Sequence, residues 1–338
     1  MTTNQIGRTA AAATVAVASA AVGLTGGWLG LSRLLIDHAM PLPSALDAER
    51  RAFTGLGAGA LSYYVAREAT GRPLVLIHSV NAAASAHEMR PLFEAYRVGR
   101  PVYALDLPGF GFSARGDRAY TPSLFTAAIE DLLKTEVREE GPVDVIAFSL
   151  GSEFAAQAAL ELGGRIRSLA LISPTGLGRR FEGESPEEQE RRARSSARLL
   201  RGFSFPLWSQ PFYDLLSTRA SIRWFLQSSF VGEVDRELAD YSYVVSHQPG
   251  ARYAPLAFIS GQLFTSTIRA NVYERLEQPV LVLYDQDQYT SFERLPGMLE
   301  RRANWHEARI IPSKGLPHFE QLAQTTAALD RFWAGVEG

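Results

Sequence analysis

Six short apolar runs, each five to seven residues long, set the strongest limit on how this chain can fold: 74–78 ("LVLIH"), 102–106 ("VYALD"), 143–148 ("VDVIAF"), 167–173 ("RSLALIS"), 279–285 ("PVLVLYD") and 308–312 ("ARIIP"). They are rich in Val, Ile and Leu and lack polar alternation, the pattern of strands buried on both faces. Helical patterns fall between them. In 122–138, for example, Leu124, Ala128, Leu132 and Leu133 share one face, and a last helix is expected over 319–335. Alternating strands and helices predict an α/β fold with a mostly parallel central sheet covered by helices on both sides. A further strand pair between Gly55 and Val65 is weakly signalled.

Two segments depart from the alternation. Residues 177–278 separate two strand signals by about a hundred residues, far more than an ordinary connection. This stretch holds a charged run, "GESPEEQERRARSSARLLR", and aromatic amphipathic pieces such as "FYDLLSTRASIRWFLQSSF", and reads as a helical cap over the carboxyl ends of the strands. At the other end, no charged residue occurs from Thr9 to Ser32, with Arg8 before the stretch and Arg33 after it. Its length suits a bilayer span, but Ala and Gly are only weakly apolar. The readings are a membrane anchor, a signal peptide cleaved near Ala18-Ser19-Ala20, or an apolar helix packed on the body or a partner. They place the protein at a membrane, in a secreted or periplasmic setting, or in the cytoplasm. The expected organisation is an apolar segment 1–36, a linker 37–50, a core made of 51–176 and 279–338, and the cap 177–278.

Composition removes some function classes. The 338 residues carry a net charge of −2, so no basic surface calls for nucleic acid. With no cysteine, thiolate catalysis, disulfides and Cys-bearing zinc sites are excluded, and the six histidines lack metal-ligand spacing. No metal or organic cofactor is implied.

The chemistry concentrates where "VDVIAF" breaks at Ser149-Leu150-Gly151 and a helix follows. A sharp strand-to-helix turn pushes a serine hydroxyl out at the sheet edge and sets the next backbone N–H at a helix N-terminus, where it can stabilise an oxyanion. Small neighbours suit such a turn; Gly151 provides one, and Ala147 stands where G-x-S-x-G has its first glycine. A serine that merely caps the helix is the plain alternative. Two strand ends accompany this elbow: "HSVN" at 78–81 and "DLPGFGFS" at 106–113.

In order and spacing these pieces resemble the α/β-hydrolase superfamily, from about residue 55 to the C-terminus. The resemblance implies a serine nucleophile, Ser149, with the Val80 and Leu150 N–H groups as oxyanion donors. It implies an acid after "PVLVLYD", where Asp287 and Asp285 compete and the downstream "QYTSF" favours Asp287. It also implies a late histidine, for which His318 in "SKGLPHFEQ" is the candidate base. The chain departs from the family pattern at Ala147, at Ser79 where glycine is usual, and at Leu316 where a histidine usually follows the glycine. His78 in such a loop is expected to be structural.

The leading expectation is therefore a serine hydrolase acting on an ester, thioester or related acyl bond of a small hydrophobic substrate, with membrane association through residues 9–32. A carbon–carbon bond hydrolase using the same residues is one alternative. The other is a non-catalytic or weakly catalytic relative that binds an apolar ligand or a membrane partner, motivated by the three departures.

Overall fold

The computed structural model describes residues 27, 28, 30, 32, 34, 36–137 and 141–337. Most of the uncharged N-terminal stretch thus lies outside the described residues. The strands are β1 (Glu49–Gly55), β2 (Gly59–Ala66), β3 (Leu74–Ile77), β4 (Val102–Asp106), β5 (Val143–Phe148), β6 (Ile166–Ile172), β7 (Val280–Gln286) and β8 (Trp305–Lys314). They form one sheet in the order β1-β2-β4-β3-β5-β6-β7-β8. From β4 to β8 every pairing is parallel, whereas β1 and β2 join antiparallel at one edge.

Side-chain alternation along the central strands feeds two cores. Val75, Ile77, Val145 and Ala147 belong to one apolar cluster, while Leu74, Leu76, Ile146 and Phe148 belong to the other. Burial on both faces is why these strands read as unbroken apolar runs, each buried Leu or Ile contributing about 1.5–3 kcal/mol. The hairpin was faint for the opposite reason. β1 is an edge strand with mostly exposed residues, "ERRAFTG", and it starts at Glu49, inside the stretch read as a linker.

Helices α1 (Arg90–Tyr96), α2 (Pro122–Thr135) and α3 (Gly151–Leu162) connect the first strands. Between β6 and β7 come six more: α4 (Pro186–Phe203), α5 (Ser209–Leu216), α6 (Arg219–Gln227), α7 (Arg236–Ser246), α8 (Tyr253–Ile259) and α9 (Ile268–Asn271). α10 (Leu295–Arg301) precedes β8, and α11 (Pro317–Glu320) and α12 (Leu322–Glu337) follow it. The charged run forms α4, whose start is fixed by a reciprocal cap: Ser185 Oγ accepts from Glu188 N, and the Glu188 carboxylate accepts from Ser185 N.

The residues before β1 pack on this insertion. The Trp28 indole N–H donates to Pro211 O at 2.8 Å, and Ser32 Oγ donates to Asp214 Oδ2 at 2.5 Å. His38 Nε2 lies 2.9 Å from Asp214 Oδ1, Gln248 Nε2 donates to Met40 O, and Tyr241 OH donates to Pro43 O. Among the described residues, no helix is long and apolar enough to cross a membrane.

Candidate active site

Ser149 sits between the end of β5 and the start of α3 with φ at 52°, the left-handed region that a non-glycine side chain resists. Its N–H is held by Ile172 O at 2.8 Å, while no described residue hydrogen-bonds its hydroxyl. The helix cap is Leu150, which offers no side-chain cap. A capping serine would adopt extended backbone and accept from the first turn, so capping does not account for Ser149. The elbow also presses on the loop after β3: a Cβ on Gly151 would lie 2.3 Å from His78 O. Only glycine allows that approach.

That loop is tied down from three sides. The His78 ring donates from Nδ1 to Ser79 O at 2.5 Å and accepts the Leu107 N–H on Nε2 at 2.9 Å, which defines its tautomer. Burial pushes this ring down to about 4, so it stays neutral and serves as a strut, as expected of it. Glu88, unforeseen in the sequence, holds the other side. Its carboxylate accepts the Ser79 N–H at 2.9 Å and the Asn81 side-chain amide at 2.7 Å; that amide also reaches Ser79 Oγ at 2.8 Å. Burial raises Glu88 to about 7 against the pull of these donors. The third tie is Asp106, which accepts the Ala86 and Phe112 N–H groups. Gly111, at φ 51°, leaves room for its carboxyl: a Cβ there would sit 2.0 Å from Asp106 Cγ.

Between these ties, the backbone N–H groups of Val80 and Leu150 find no partner among the described residues, although both residues are buried. Buried backbone donors are paired in the great majority of cases, so these two, flanking the serine elbow, are exceptions left free to donate.

The acidic and basic candidates are placed as follows. Asp285 is committed to structure, with Arg309 Nη2 at 3.0 Å from Oδ1 and the Ser313 N–H donating to Oδ2. Asp287 accepts the N–H groups of Tyr289 at 2.7 Å and Thr290 at 3.1 Å. Burial nevertheless raises its carboxyl above the usual range. Its other oxygen lies beside Gly315, where a Cβ would come within 3.2 Å. Leu316 follows and is buried. His318 is fully buried on α11, its Nε2–H donating to Glu88 O at 2.8 Å, and its Nδ1 has no partner. Its ring meets Phe148, the neighbour of Ser149, edge-on at 5.2 Å. Burial lowers it to about 4. No hydrogen bond among the described residues joins Ser149, Asp287 and His318 to one another.

Glu153 is a second unforeseen acid, one helical turn beyond Ser149. It accepts Thr175 Oγ1 at 2.5 Å and the Thr265 N–H at 3.1 Å, tying α3 to the insertion. Burial raises it to about 7. It lines a cavity of about 520 Å³ together with Thr175, Arg180, Phe264, Asp287 and Thr290. Neither Glu88 nor Glu153 belongs to a motif. Glu153 is a lone acid in an apolar stretch, which gives a weak signal that such a carboxyl is buried and bonded, whereas Glu88 stands between His87 and Arg90 and gives none.

Comparison with known proteins agrees with this architecture. A 112-residue stretch, 32% of the chain, is 31% identical to the rat 1-acylglycerol-3-phosphate O-acyltransferase ABHD5. The chain spans 31% of that protein's length, and the mouse protein of the same name matches equally. A serine hydrolase involved in carbazole degradation superposes with a TM-score of 0.65 at 16% identity, covering 85% of this chain and 99% of its own. A bacterial membrane phospholipase A superposes at 0.60 and 17% identity, covering all of both chains. At such identities the likeness carries the fold. The model of the alpha/beta hydrolase family matches residues 74–329, three quarters of the sequence, and the chain belongs to that family.

Proposed function

We propose that the chain is a serine hydrolase cleaving an ester, thioester or related acyl bond of a hydrophobic substrate. The observation that carries the reading is the left-handed Ser149 flanked by the unpaired N–H groups of Val80 and Leu150. Ser149 Oγ attacks the carbonyl carbon, and the two N–H groups take up the charge that develops on its oxygen. The base of this reading is His318. With Nε2–H held on Glu88 O, Nδ1 is the ring's only acceptor, and burial keeps the ring in the neutral form able to take the serine proton. That proton passes to the leaving alcohol or thiol, and water then releases the acyl group from Ser149. Asp287 is the proposed acid, since Asp285 is spent on Arg309 and Ser313. The helical insertion is the proposed cap. The local relative's name, an acyltransferase, supports acyl chemistry, and the membrane phospholipase supports placing residues 9–32 at a membrane.

A second reading rests on a specific observation: Leu316 occupies the position beside the Asp287–Gly315 contact, and His318 bonds backbone instead of Asp287. It makes the chain a binder of an apolar ligand in a hydrolase frame. A fluorophosphonate probe separates the two. Labelling of the wild type that disappears in Ser149→Ala, and falls at least a hundredfold in rate in His318→Ala, is the expected result. Folded wild-type protein that takes no label overturns hydrolysis in favour of binding; full labelling of His318→Ala removes His318 as the base.

A further inference from the structure

The insertion exposes apolar side chains that its own helices leave uncovered. Phe205, Trp208, Leu215, Trp224 and, from the N-terminal segment, Leu34 are between 44% and 82% exposed. Phe205 and Trp208 lie in the connection from α4 to α5 and pack against each other with tilted rings, centroids 4.4 Å apart. Leu215 lies on the last turn of α5, the helix that Trp208 immediately precedes. Two large aromatics held out in water against each other mark a contact surface.

Continuity and charge identify what covers it. Trp28 and Ser32, at the end of the uncharged stretch, are bonded to Pro211 and to the Asp214 carboxylate, both on α5, the helix that carries Leu215. Arg198 and Arg201 at the C-terminal half of α4 and Arg223 on α6 are exposed and have no carboxylate partner among the described residues. The Trp208 indole N–H donates to Gly202 O, which sets it against the end of α4 that carries Arg198 and Arg201. Exposed aromatics beside arginines without a carboxylate partner are the composition of a surface that beds into the headgroup layer of an anionic bilayer.

We propose that the outer face of the insertion, around Phe205, Trp208, Leu215 and Leu34, docks on an anionic phospholipid surface and acts jointly with the N-terminal stretch. Docking brings the helices that overlie the sheet against the lipid. The cavity beside Asp287 is open to the same insertion through Phe264 and Thr265. This inference rests on the membrane part of the reading above and is independent of catalysis.

Flotation of the full chain with phosphatidylcholine vesicles, with and without 30% phosphatidylglycerol (a proportion on the order of that giving a strong surface potential), tests it. Wild type should float with the anionic vesicles and at least tenfold less with the neutral ones, and lose binding at high salt. The double variant Phe205→Glu/Trp208→Glu should lose at least tenfold in binding with an unchanged circular dichroism spectrum. Arg198→Glu/Arg201→Glu should erase the preference for anionic lipid. A variant with Leu24→Glu in the N-terminal stretch distinguishes the two claims. If it abolishes flotation while Phe205→Glu/Trp208→Glu floats normally, membrane association stands and the docking face is overturned. If wild type floats with neither vesicle, both fall. Light scattering that shows a dimer dissociated by Phe205→Glu/Trp208→Glu, with no vesicle binding, assigns the face to a second copy and overturns the proposal.

Discussion

At the scale of the residue, Ser149 is the point of greatest backbone strain in the proposed machinery. Its φ of 52° brings no capping bond in return, and its hydroxyl has no partner among the described residues. A left-handed non-glycine residue costs about 1–2 kcal/mol and persists where the surroundings over-determine it. Here the Ile172 carbonyl, the close approach of Gly151 to His78 O and the packing of Phe148 on His318 do so. Replacing the side chain separates hydroxyl from strain. Ser149→Ala keeps the Cβ and the strain, whereas Ser149→Gly removes both. The glycine adds about 0.5–1 kcal/mol of unfolded-state entropy, less than the strain it relieves. Ser149→Gly should therefore exceed Ser149→Ala in urea-unfolding free energy by about 0.5–1 kcal/mol. Equal stabilities would show that the elbow carries no strain at this residue.

At the scale of the element, strand β5 is pinned at its entry as firmly as it is bent at its exit. Asp144 is fully buried and receives Arg167 Nε at 2.8 Å, Arg100 Nη2 at 2.5 Å and Ser168 Oγ at 2.6 Å, which join the ends of β4, β5 and β6. Burial alone would push this carboxyl up, but the bonds from Arg167, Arg100 and Ser168 outweigh it and hold the group below its usual 3.8. Its contribution is present above about pH 4 and is lost as pH falls through the lower folded-state value. Asp144→Ala leaves two arginines facing an unfilled buried site and should cost about 3–5 kcal/mol at pH 7, read as a lowered melting temperature. A loss below 1 kcal/mol would mean that the cluster does not brace the sheet. Legibility in the sequence follows the same division. The central strands could be read because burial on both faces writes itself as an apolar run, and the elbow because strand, serine and helix are contiguous. Edge strand β1 could not, since its residues face water in alternation. The partners of the elbow escaped for a different reason. Whether His318 faces Ser149, Asp287 or the Glu88 carbonyl depends on how α11 packs against the residues before α1, some 230 positions away, and no local pattern records that. Glu88 and Asn81, which brace Ser79, stand seven positions apart in a spacing that fits no motif.

At the scale of the whole molecule, the buried titratable groups oppose one another in how they make stability depend on pH. Burial raises Glu88 and Glu153 to about 7 and Asp106 to about 6. Each keeps its proton in the folded chain at a pH where the unfolded chain has released it, so the folded state binds more protons between about pH 4.5 and 7, and stability falls as pH rises across that window. His78 and His318, lowered to about 4, do the reverse. They are neutral in the folded chain where the unfolded imidazole is still charged, so they favour folding increasingly from about pH 4 up to 6.5. Below pH 6.5 the two histidines offset part of the effect of the three carboxyls. Above it the histidine gain is complete, while Glu88 and Glu153 go on releasing protons into buried sites. Stability should therefore drop by on the order of 1 kcal/mol between pH 6 and pH 8, measured by urea denaturation at half-unit steps. Glu153→Gln, which keeps the shape and removes the proton equilibrium, should make that fall shallower. If wild-type stability is level or rising from pH 6 to 8, these carboxyls do not carry their protons at neutral pH, and the anchoring of the loop at Ser79 and of Thr265 runs through fully ionised groups at working pH.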